Sequence, residues 1–295
     1  MILYRLLYAF LYLLSLLPFR VLYILSDCLY PLFYYVIRYR RKVISENLKT
    51  AFPEKSEQER KRIMKHFYQR FLDNFIETIK LLTISQKELD KRFVCDFSVI
   101  DEVYKSGKKL QIHTAHFFNW EFADAAFSVH LPYKLLVVYM PIENKAIDKI
   151  FLKMRSRFGA KMIPAPAFSK EIAKFSDEQT ALALVADQNP GSPERAFWTN
   201  FFGKMTPIVT GPEKGARIND AAVVMANFIP VRRGYYRSEI ELLTTDPRSL
   251  PPGAITREMM RFVEDTVKKY PSNYLWSHRR WKWQYDAAKH LKRVV

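Results

Sequence analysis

The chain has 295 residues, enough to bury a large core in one big domain or in one domain with a helical appendage. Its 47 Lys and Arg residues against 30 Asp and Glu give a net charge of +17, which favours polyanionic partners such as nucleic acid or anionic lipid. The two cysteines, Cys28 and Cys95, make no disulfide framework and indicate a reducing compartment. None of the 8 glycines falls in a dinucleotide-binding, P-loop or nucleophile-elbow pattern, so these three enzyme classes lose their usual signals.

Residues 1–37 are nearly all apolar or aromatic, and aromatics make up 15% of the chain, which suits a surface at a membrane interface. The uncharged run Leu6–Phe19 is short for a membrane span. A kinked single span, a shallow hairpin in one leaflet and a buried helical pair all remain open, and we favour membrane attachment. No small-residue cleavage site follows the apolar run, which argues against a cleaved signal peptide.

A compact basic cluster, Arg38–Lys42, follows this apolar segment directly. It would be attracted to an anionic leaflet, and the positive-inside tendency places the remaining chain in the cytoplasm. We therefore predict a hydrophobic membrane-anchoring segment with a basic flank over residues 1–42 and one folded domain over residues 43–295. The expected location of the folded domain is the cytoplasmic face of a membrane.

A long amphipathic helix is predicted after Ser56, which forms a capping-box pair with Glu59. Its apolar stripe is expected to face the core and consists of Ile63, Phe67, Phe71, Phe75, Ile79 and Leu82.

From about residue 92 the pattern alternates between strands and helices. Strands are predicted over 109–114, 134–139, 161–164, 180–186 and 222–229, and helices over 144–158, 168–177, 212–219 and 256–269. Residues 235–243 read as an added, possibly antiparallel strand. This order predicts an α/β fold with a mostly parallel mixed sheet flanked by helices.

The candidate catalytic residues are His116 and Glu121, which stand five residues apart across a predicted strand-to-helix junction. At such a junction the carboxylate can fold back onto one imidazole nitrogen and leave the other free to take a proton. A histidine oriented in this way is a general base, typically worth about 10² to 10⁴ in rate. Unpaired N–H groups at the helix start could hold developing negative charge. The alternative is that the two residues are a surface histidine and a helix cap.

Two further patterns are a histidine pair and the polar turns at predicted strand ends. His113 and His116 suggest a metal pair, but a zinc site would lack further ligands in this sequence. The run from Ala186 to Gly191 closes a predicted strand with polar side chains, and Lys204 follows an aromatic pair. Ligands gather at strand ends in open α/β sheets, although turns use the same residue types.

Taken together, these segments resemble the late acyltransferases of lipid A biosynthesis, of the lauroyl and myristoyl transferase type, a lysophospholipid acyltransferase-like family. The resemblance runs in order along nearly the whole chain. The matching pieces are YRRK at 39–42, ENL at 46–48, AFP at 51–53, HFFNWE at 116–121, RSRFGAK at 155–161, ADQNPG at 186–191, FFGKMT at 201–206, TGP at 210–212 and YLWSHRRWKW at 274–283.

The resemblance implies transfer of a fatty acyl chain from a thioester on acyl carrier protein to a hydroxyl of a phosphorylated glucosamine lipid at the cytoplasmic face of the bacterial inner membrane. By the family's histidine-plus-acid motif, His116 would be the general base and Glu121 its orienting partner. Positions that surround the substrate in the family correspond to Arg157, Asp187 and Gln188. Asn119 and Lys204 are further candidates for substrate binding.

The resemblance requires no metal, cofactor or covalent acyl-enzyme, and the basic excess would serve the acidic carrier protein and the phosphorylated acceptor. Many family members have glycine where this chain has Phe118, so the turn beside His116 is expected to differ. Two alternatives remain: an acyltransferase acting on a lysophospholipid or aminoacyl lipid, and a non-catalytic protein that binds anionic lipid or nucleic acid. The sequence shows no zinc-finger or RNA-binding signature, so we expect no nucleic-acid partner.

Overall fold

The computed structural model describes residues 2–295. Its helices are α1 (Ile2–Leu16), α2 (Phe19–Pro31), α3 (Arg41–Ala51), α4 (Glu57–Lys80), α5 (Gln86–Arg92), α6 (Ser98–Lys105), α7 (Trp120–His130), α8 (Lys145–Arg155), α9 (Phe168–Ile172), α10 (Gly211–Ile218), α11 (Ala254–Lys269) and α12 (Ala287–His290). A π-helical turn, Leu32–Ile37, continues α2, and a single 3₁₀ turn, Ser156–Phe158, continues α8.

The strands form one mixed sheet and one hairpin. They are β1 (Phe93–Cys95), β2 (Leu110–Thr114), β3 (Lys134–Tyr139), β4 (Lys161–Pro164), β5 (Thr180–Val185), β6 (Phe197–Phe201), β7 (Lys204–Ile208), β8 (Ala222–Arg232) and β9 (Tyr235–Thr244). The sheet has seven strands in the order β1-β9-β8-β2-β5-β3-β4, while β6 and β7 pair by themselves. Neighbouring strands of the sheet are parallel except β8 and β9. The predicted α/β class and the antiparallel added strand are confirmed.

The two central strands, β2 and β5, position the candidate site. They are parallel neighbours, and Thr114 at the end of β2 lies beside Val185 at the end of β5. Strand β5 reads TALALV, a nearly continuous apolar run of the kind that parallel sheets bury on both faces. All five residues of β2 are buried as well, although Gln111, His113 and Thr114 are polar. Residues that leave these two strands therefore emerge side by side at the carboxyl edge of the sheet, where ligands bind in open α/β folds.

Helix α4 begins as predicted, but its inward face is only partly the predicted stripe. The Glu59 N–H donates to the Ser56 hydroxyl at 3.2 Å, and the Ser56 N–H donates to the Glu59 carboxylate at 2.7 Å, which confirms the capping box. Phe67 and Phe71 are buried, whereas Phe75 is 46% exposed, so its placement in the core is wrong. The reason is that α4 also buries a polar face, which includes Asp73 and Glu77, against α2 and the sheet.

The N-terminal helices lie on the domain. Both α1 and α2 contact α4, and α1 also contacts α8. Within residues 2–295, Phe19–Ile37 is the stretch long and apolar enough to cross a membrane, while Leu3–Leu16 is too short.

Candidate active site

His116 is held by a buried aspartate from the neighbouring strand. His116 lies two residues beyond β2, and Asp187 lies two residues beyond β5. The His116 Nδ1 is 2.6 Å from the Asp187 Oδ1, and the backbone N–H of His116 donates to the same oxygen at 3.2 Å. A carboxylate at Nδ1 fixes the ring tautomer and leaves the lone pair on Nε2. This is the arrangement of a histidine general base.

The free nitrogen of His116 faces an accessible and polar surrounding. Its Nε2 lies 3.2 Å from the Gln188 Nε2, so the amide N–H can donate to the imidazole. The ring edge also meets Trp120, with ring centroids 5.5 Å apart. The His116 side chain is 21% exposed while that of Asp187 is 2% exposed. The imidazole is therefore partly accessible from solvent, whereas the aspartate is not.

The predicted contact between Glu121 and His116 is wrong. Glu121 lies in the first turn of α7, and its carboxylate is bound by the guanidinium of Arg155 at the end of α8. Arg155 Nε lies 2.9 Å from Oε2 and Nη2 lies 2.5 Å from Oε1. The Trp120 indole N–H donates to the same carboxylate at 3.0 Å. A two-point ion pair of this kind is stronger than a single charged hydrogen bond and holds the carboxylate away from the imidazole.

A second acid, the half-buried Asp124, lies beside this pair. Desolvation and the negative charge of Glu121 raise the pKa of Asp124 to about 7, against the lowering effect of Arg155. Asp124 is therefore largely protonated below neutral pH, and Arg155 remains paired with Glu121.

Asn119 is fully buried, and its side chain is used within the fold. Its Oδ1 accepts the N–H groups of Glu121 and Phe122 at 3.0 Å each, which makes it the N-cap of α7. Two of the N–H groups expected to hold negative charge are thus already bonded. The Asn119 amide in turn donates to the Glu77 carboxylate at 2.7 Å. The structure therefore gives Asn119 a positioning role, and its predicted contact with substrate stays a prediction.

Glu77 joins three elements behind the turn that carries His116. Besides Asn119, it accepts the hydroxyl groups of Tyr236 on β9 at 2.7 Å and of Tyr23 on α2 at 2.8 Å. Burial raises the pKa of Glu77 to about 7, and these hydrogen bonds oppose the shift. Sequence reasoning missed Glu77 because an acid in a charged helix reads as a surface residue.

The C-terminal segment closes the site from the other side. Burial alone would raise the pKa of Asp187, but His116, the Tyr274 hydroxyl and Arg280 together hold it below its usual value. Arg280 is fully buried, and its Nη1 donates to the Asn189 Oδ1 at 2.8 Å. The Asn189 N–H also lies 3.3 Å from the His278 Nε2. Sequence analysis assigned no role to Tyr274, His278 and Arg280, although they lie in the quoted motif at 274–283.

Phe118 fills the turn that is expected to differ from the family pattern. Its ring is fully buried and packs on Phe67, Phe71 and Trp120, with centroids 5.6 to 6.4 Å apart. The bulky side chain thus anchors the turn after His116 to α4.

Arg157 is placed away from the histidine. Its Nη1 donates to the carbonyl oxygens of Leu81 and Ile84 at 2.8 and 2.6 Å, so the guanidinium holds the chain just after α4. This contact is the structural support that competes with its predicted role at the substrate. Its neighbour Arg155 is the arginine that reaches the α7 junction.

Lys204 lines a basic groove beside the site. We define the basic groove by Lys42, Lys204, Arg279 and Lys282, which surround a cavity of about 490 Å³ together with Trp281. Asn189, two residues after Asp187, links the end of β5 to the groove, since its amide donates to the Arg279 carbonyl at 2.6 Å. Glu46 also lines the cavity, but the four cations outnumber this one acid, so the groove suits an anionic group.

His113, the other histidine of the suggested metal pair, belongs to the core. His113 is 1% exposed, and its Nε2 lies 2.8 Å from the Gln111 side-chain amide. Burial lowers the pKa of His113 to about 4, so it is neutral at neutral pH. Across residues 2–295 no group of three or more His, Cys, Asp or Glu side chains is arranged to hold a metal ion.

A histidine with a buried acid on Nδ1, set at the carboxyl edge of a parallel sheet beside a cationic groove, has the geometry that α/β enzymes use for proton transfer. Residues 2–283 match the family model described as bacterial lipid A biosynthesis acyltransferase. The chain belongs to this family, and it is an O-acyltransferase of lipid A biosynthesis.

Curated relatives agree with this assignment. The chain is 25% identical over 275 residues to the lipid A biosynthesis lauroyltransferase of Escherichia coli K12, covering 90% of this chain and 87% of the relative. It is 24% identical to a lipid A biosynthesis acyltransferase of Haemophilus influenzae, covering 90% of this chain and 83% of the relative. It is 21% identical to the lipid A biosynthesis palmitoleoyltransferase of Escherichia coli K12, covering 90% and 86%.

Proposed function

We propose that the protein transfers a fatty acyl chain from an acyl carrier protein thioester to a hydroxyl of a phosphorylated lipid A precursor, with His116 as general base. The observation that carries this proposal is the 2.6 Å contact between His116 Nδ1 and Asp187, which leaves the lone pair of Nε2 to act as the base. Asp187 replaces Glu121 as the residue that orients the imidazole in this mechanism.

The reaction proceeds by proton transfer through one nitrogen. His116 Nε2 removes the proton of the acceptor hydroxyl while the oxygen of that hydroxyl attacks the thioester carbonyl. The tetrahedral oxyanion collapses, the C–S bond breaks, and the imidazolium returns its proton to the leaving thiolate. Asp187 stabilises the imidazolium between the two steps. Gln188, 3.2 Å from Nε2, is the amide donor placed to bind the oxyanion or the incoming hydroxyl.

In this mechanism Glu121 acts indirectly, by positioning the turn that carries His116. The Glu121–Arg155 pair joins the start of α7 to the end of α8 and so fixes the turn that carries His116. We assign Asn119 and Glu77 the same kind of role at the other side of that turn, because their hydrogen bond ties it to α4.

The proposed substrates match the charge of the molecule. An acidic carrier protein and a phosphorylated lipid both approach a chain of net charge +17 with long-range attraction. The apolar N-terminal helices favour residence at the membrane that contains the acceptor, with the site on the cytoplasmic side.

The direct test is acyl transfer measured by mass spectrometry of the lipid product. The native chain is given acyl-loaded acyl carrier protein or acyl coenzyme A as donor, with either a tetra-acylated, phosphorylated glucosamine disaccharide or a lysophospholipid as acceptor. We expect product on the disaccharide. Product confined to the lysophospholipid would overturn the acceptor, and product only with acyl coenzyme A as the donor would overturn the carrier protein.

The basic groove should bind the phosphate of the acceptor. We expect Lys204→Ala combined with Lys282→Ala to raise KM for the phosphorylated acceptor about tenfold with kcat little changed, since each cation contributes up to about 1 kcal/mol at an anionic headgroup. Removing the acceptor phosphates should abolish the difference between variant and native chain. Added salt should lower native activity by screening the same attraction.

The matched control is Lys87→Ala, an exposed lysine on α5 outside the groove. It should leave KM unchanged. An equal rise in KM for the control, or for the dephosphorylated acceptor, would show that the groove has no specific part in binding.

A further inference from the structure

Polar side chains of α2 bind the domain, Ser26 and Tyr23 from its inner face and Asp27 at its exposed edge. The Ser26 hydroxyl donates to the Asp73 carboxylate at 2.7 Å, and the Tyr23 hydroxyl donates to Glu77 at 2.8 Å. Asp27 is paired with Arg233, which also binds Asp73 at 2.7 Å. The helix is therefore fastened to the domain by its hydrogen-bonding side chains.

The outward faces of α1 and α2 are apolar. On α1 the outward residues recur at helical spacing, and Leu6, Phe10 and Leu13 are 63 to 65% exposed. On α2 and its extension, Ile24 and Val36 are 60% and 72% exposed. A helix facing water shows the reverse order, with polar groups outside. This inverted pattern is expected where the outer surroundings are hydrocarbon.

The packing of α2 on α4 opposes an upright span. The two helices run antiparallel, since Tyr23 meets Glu77, Ser26 meets Asp73, and the ring of Tyr34 lies 5.3 Å from that of Tyr68. If α2 crossed the bilayer, α4 would enter it too. Helix α4 is charged on its other sides, and charged side chains at the bilayer centre are strongly unfavourable.

Helix α1 is fixed in the same manner. The Lys80 ammonium donates to the carbonyl oxygens of Ser15 and Leu17 at 2.8 and 2.9 Å, so it satisfies the C-terminal end of α1. The Lys149 and Lys153 amines of α8 lie 4.8 and 4.1 Å from ring centroids on α1. Both N-terminal helices are thus parts of the domain surface.

We propose that residues 2–37 are an in-plane membrane-docking surface, in which the outward faces of α1 and α2 enter the hydrocarbon edge of one leaflet of an anionic membrane without crossing it. Exposed Arg5, Arg20 and Arg38 stand at the ends of the helices, where they can meet anionic headgroups. The inference rests on the proposed function only for the presence of a membrane. It makes the catalytic domain and its anchor one rigid unit.

The orientation is tested by sidedness of cysteine labelling. In a Cys28→Ser, Cys95→Ser background of the full chain, Arg5→Cys and Arg38→Cys are each treated with a membrane-impermeant maleimide in right-side-out and inside-out membrane vesicles, with detergent-solubilised samples as the reactivity control. We expect both positions to be labelled in the inside-out vesicles only. Labelling of Arg5→Cys from the opposite side to Arg38→Cys would establish a single span and overturn the proposal.

A second measurement tests the outward faces directly. Leu6→Glu with Phe10→Glu should weaken binding to phosphatidylethanolamine vesicles containing phosphatidylglycerol at least tenfold, while acyl transfer to detergent-dispersed acceptor stays at the native level. Ile218→Glu, at a 74% exposed apolar residue of α10, is the matched control and should bind as the native chain does. Native binding by the double variant would overturn the docking surface. Vesicle binding is measured without acyl transfer. A failed transferase assay would therefore not affect the test of the docking surface.

Discussion

Replacing Asp187 by Asn should lower kcat/KM by a factor of up to about 10⁴ in a protein that still folds. His116→Ala should lower kcat/KM by a factor of about 10² to 10⁴ relative to the native chain. In the native site the carboxylate accepts the Nδ1 proton, so Nε2 is the base. An asparagine can offer an N–H to Nδ1 instead, which moves the ring proton to Nε2 and removes the base. The measurement is steady-state acyl transfer, with folding checked by thermal unfolding in detergent.

The double variant distinguishes a shared role from two separate ones. If Asp187 acts only through His116, the combination of His116→Ala and Asp187→Asn should be no slower than the slower single variant. Multiplicative losses would show that Asp187 contributes independently. Activity of Asp187→Asn within a factor of a few of the native chain would contradict the proposed orienting role.

The acid stability of the native protein should depend on the same aspartate. The folded-state pKa of Asp187 is held below its unfolded value, so its charged contacts stabilise the protein above an unfolded pKa of about 3.9 and are lost as the pH falls through the lower folded value. Asp187→Asn should therefore flatten the loss of unfolding free energy in this acid range. An unchanged slope would mean that the charged form is not stabilised by the fold.

The sequence was sufficient for the fold class and for the edge of the sheet that carries the site. The periodic runs predicted β3 and β4 with their observed bounds, and the strand-end rule placed both His116 and Asp187 at the carboxyl edge. What the sequence does not contain is the order of strands. Because β5 lies next to β2, Asp187 is the acid beside His116, although 71 residues separate them along the chain.

The predicted contact between Glu121 and His116 is wrong for a similar reason. Spacing showed that Glu121 could reach His116, but it did not show a competing cation from another helix. Arg155 arrives at Glu121 only because α8 packs on α7, and its fork binds a carboxylate at two points. The adjacent arginines of the RSRFGAK motif differ in the same way: Arg157 turns to the carbonyl groups after α4. Local pattern identifies the residue types, and packing decides the partners.

The Glu121–Arg155 pair should be a large contributor to stability. Glu121 is 2% exposed and Arg155 is 19% exposed, so Glu121→Gln leaves a mostly buried guanidinium without its anion. We expect the free energy of unfolding to fall by about 3–5 kcal/mol, as is typical when one partner of a buried ion pair is removed. Lys105→Ala, which breaks an exposed pair with Glu102, is the control and should cost less than about 1 kcal/mol.

Removing both partners separates the positioning role from chemistry. In Glu121→Gln with Arg155→Met no buried charge is left unpaired, so much of the lost stability should return. If Glu121 serves by fixing the α7 turn, acyl transfer at a temperature where the double variant is folded should recover well above that of Glu121→Gln. If the stable double variant stays as inactive as His116→Ala, Glu121 takes part in the reaction itself, and the dyad inferred from spacing describes the chemistry better than the contacts at rest.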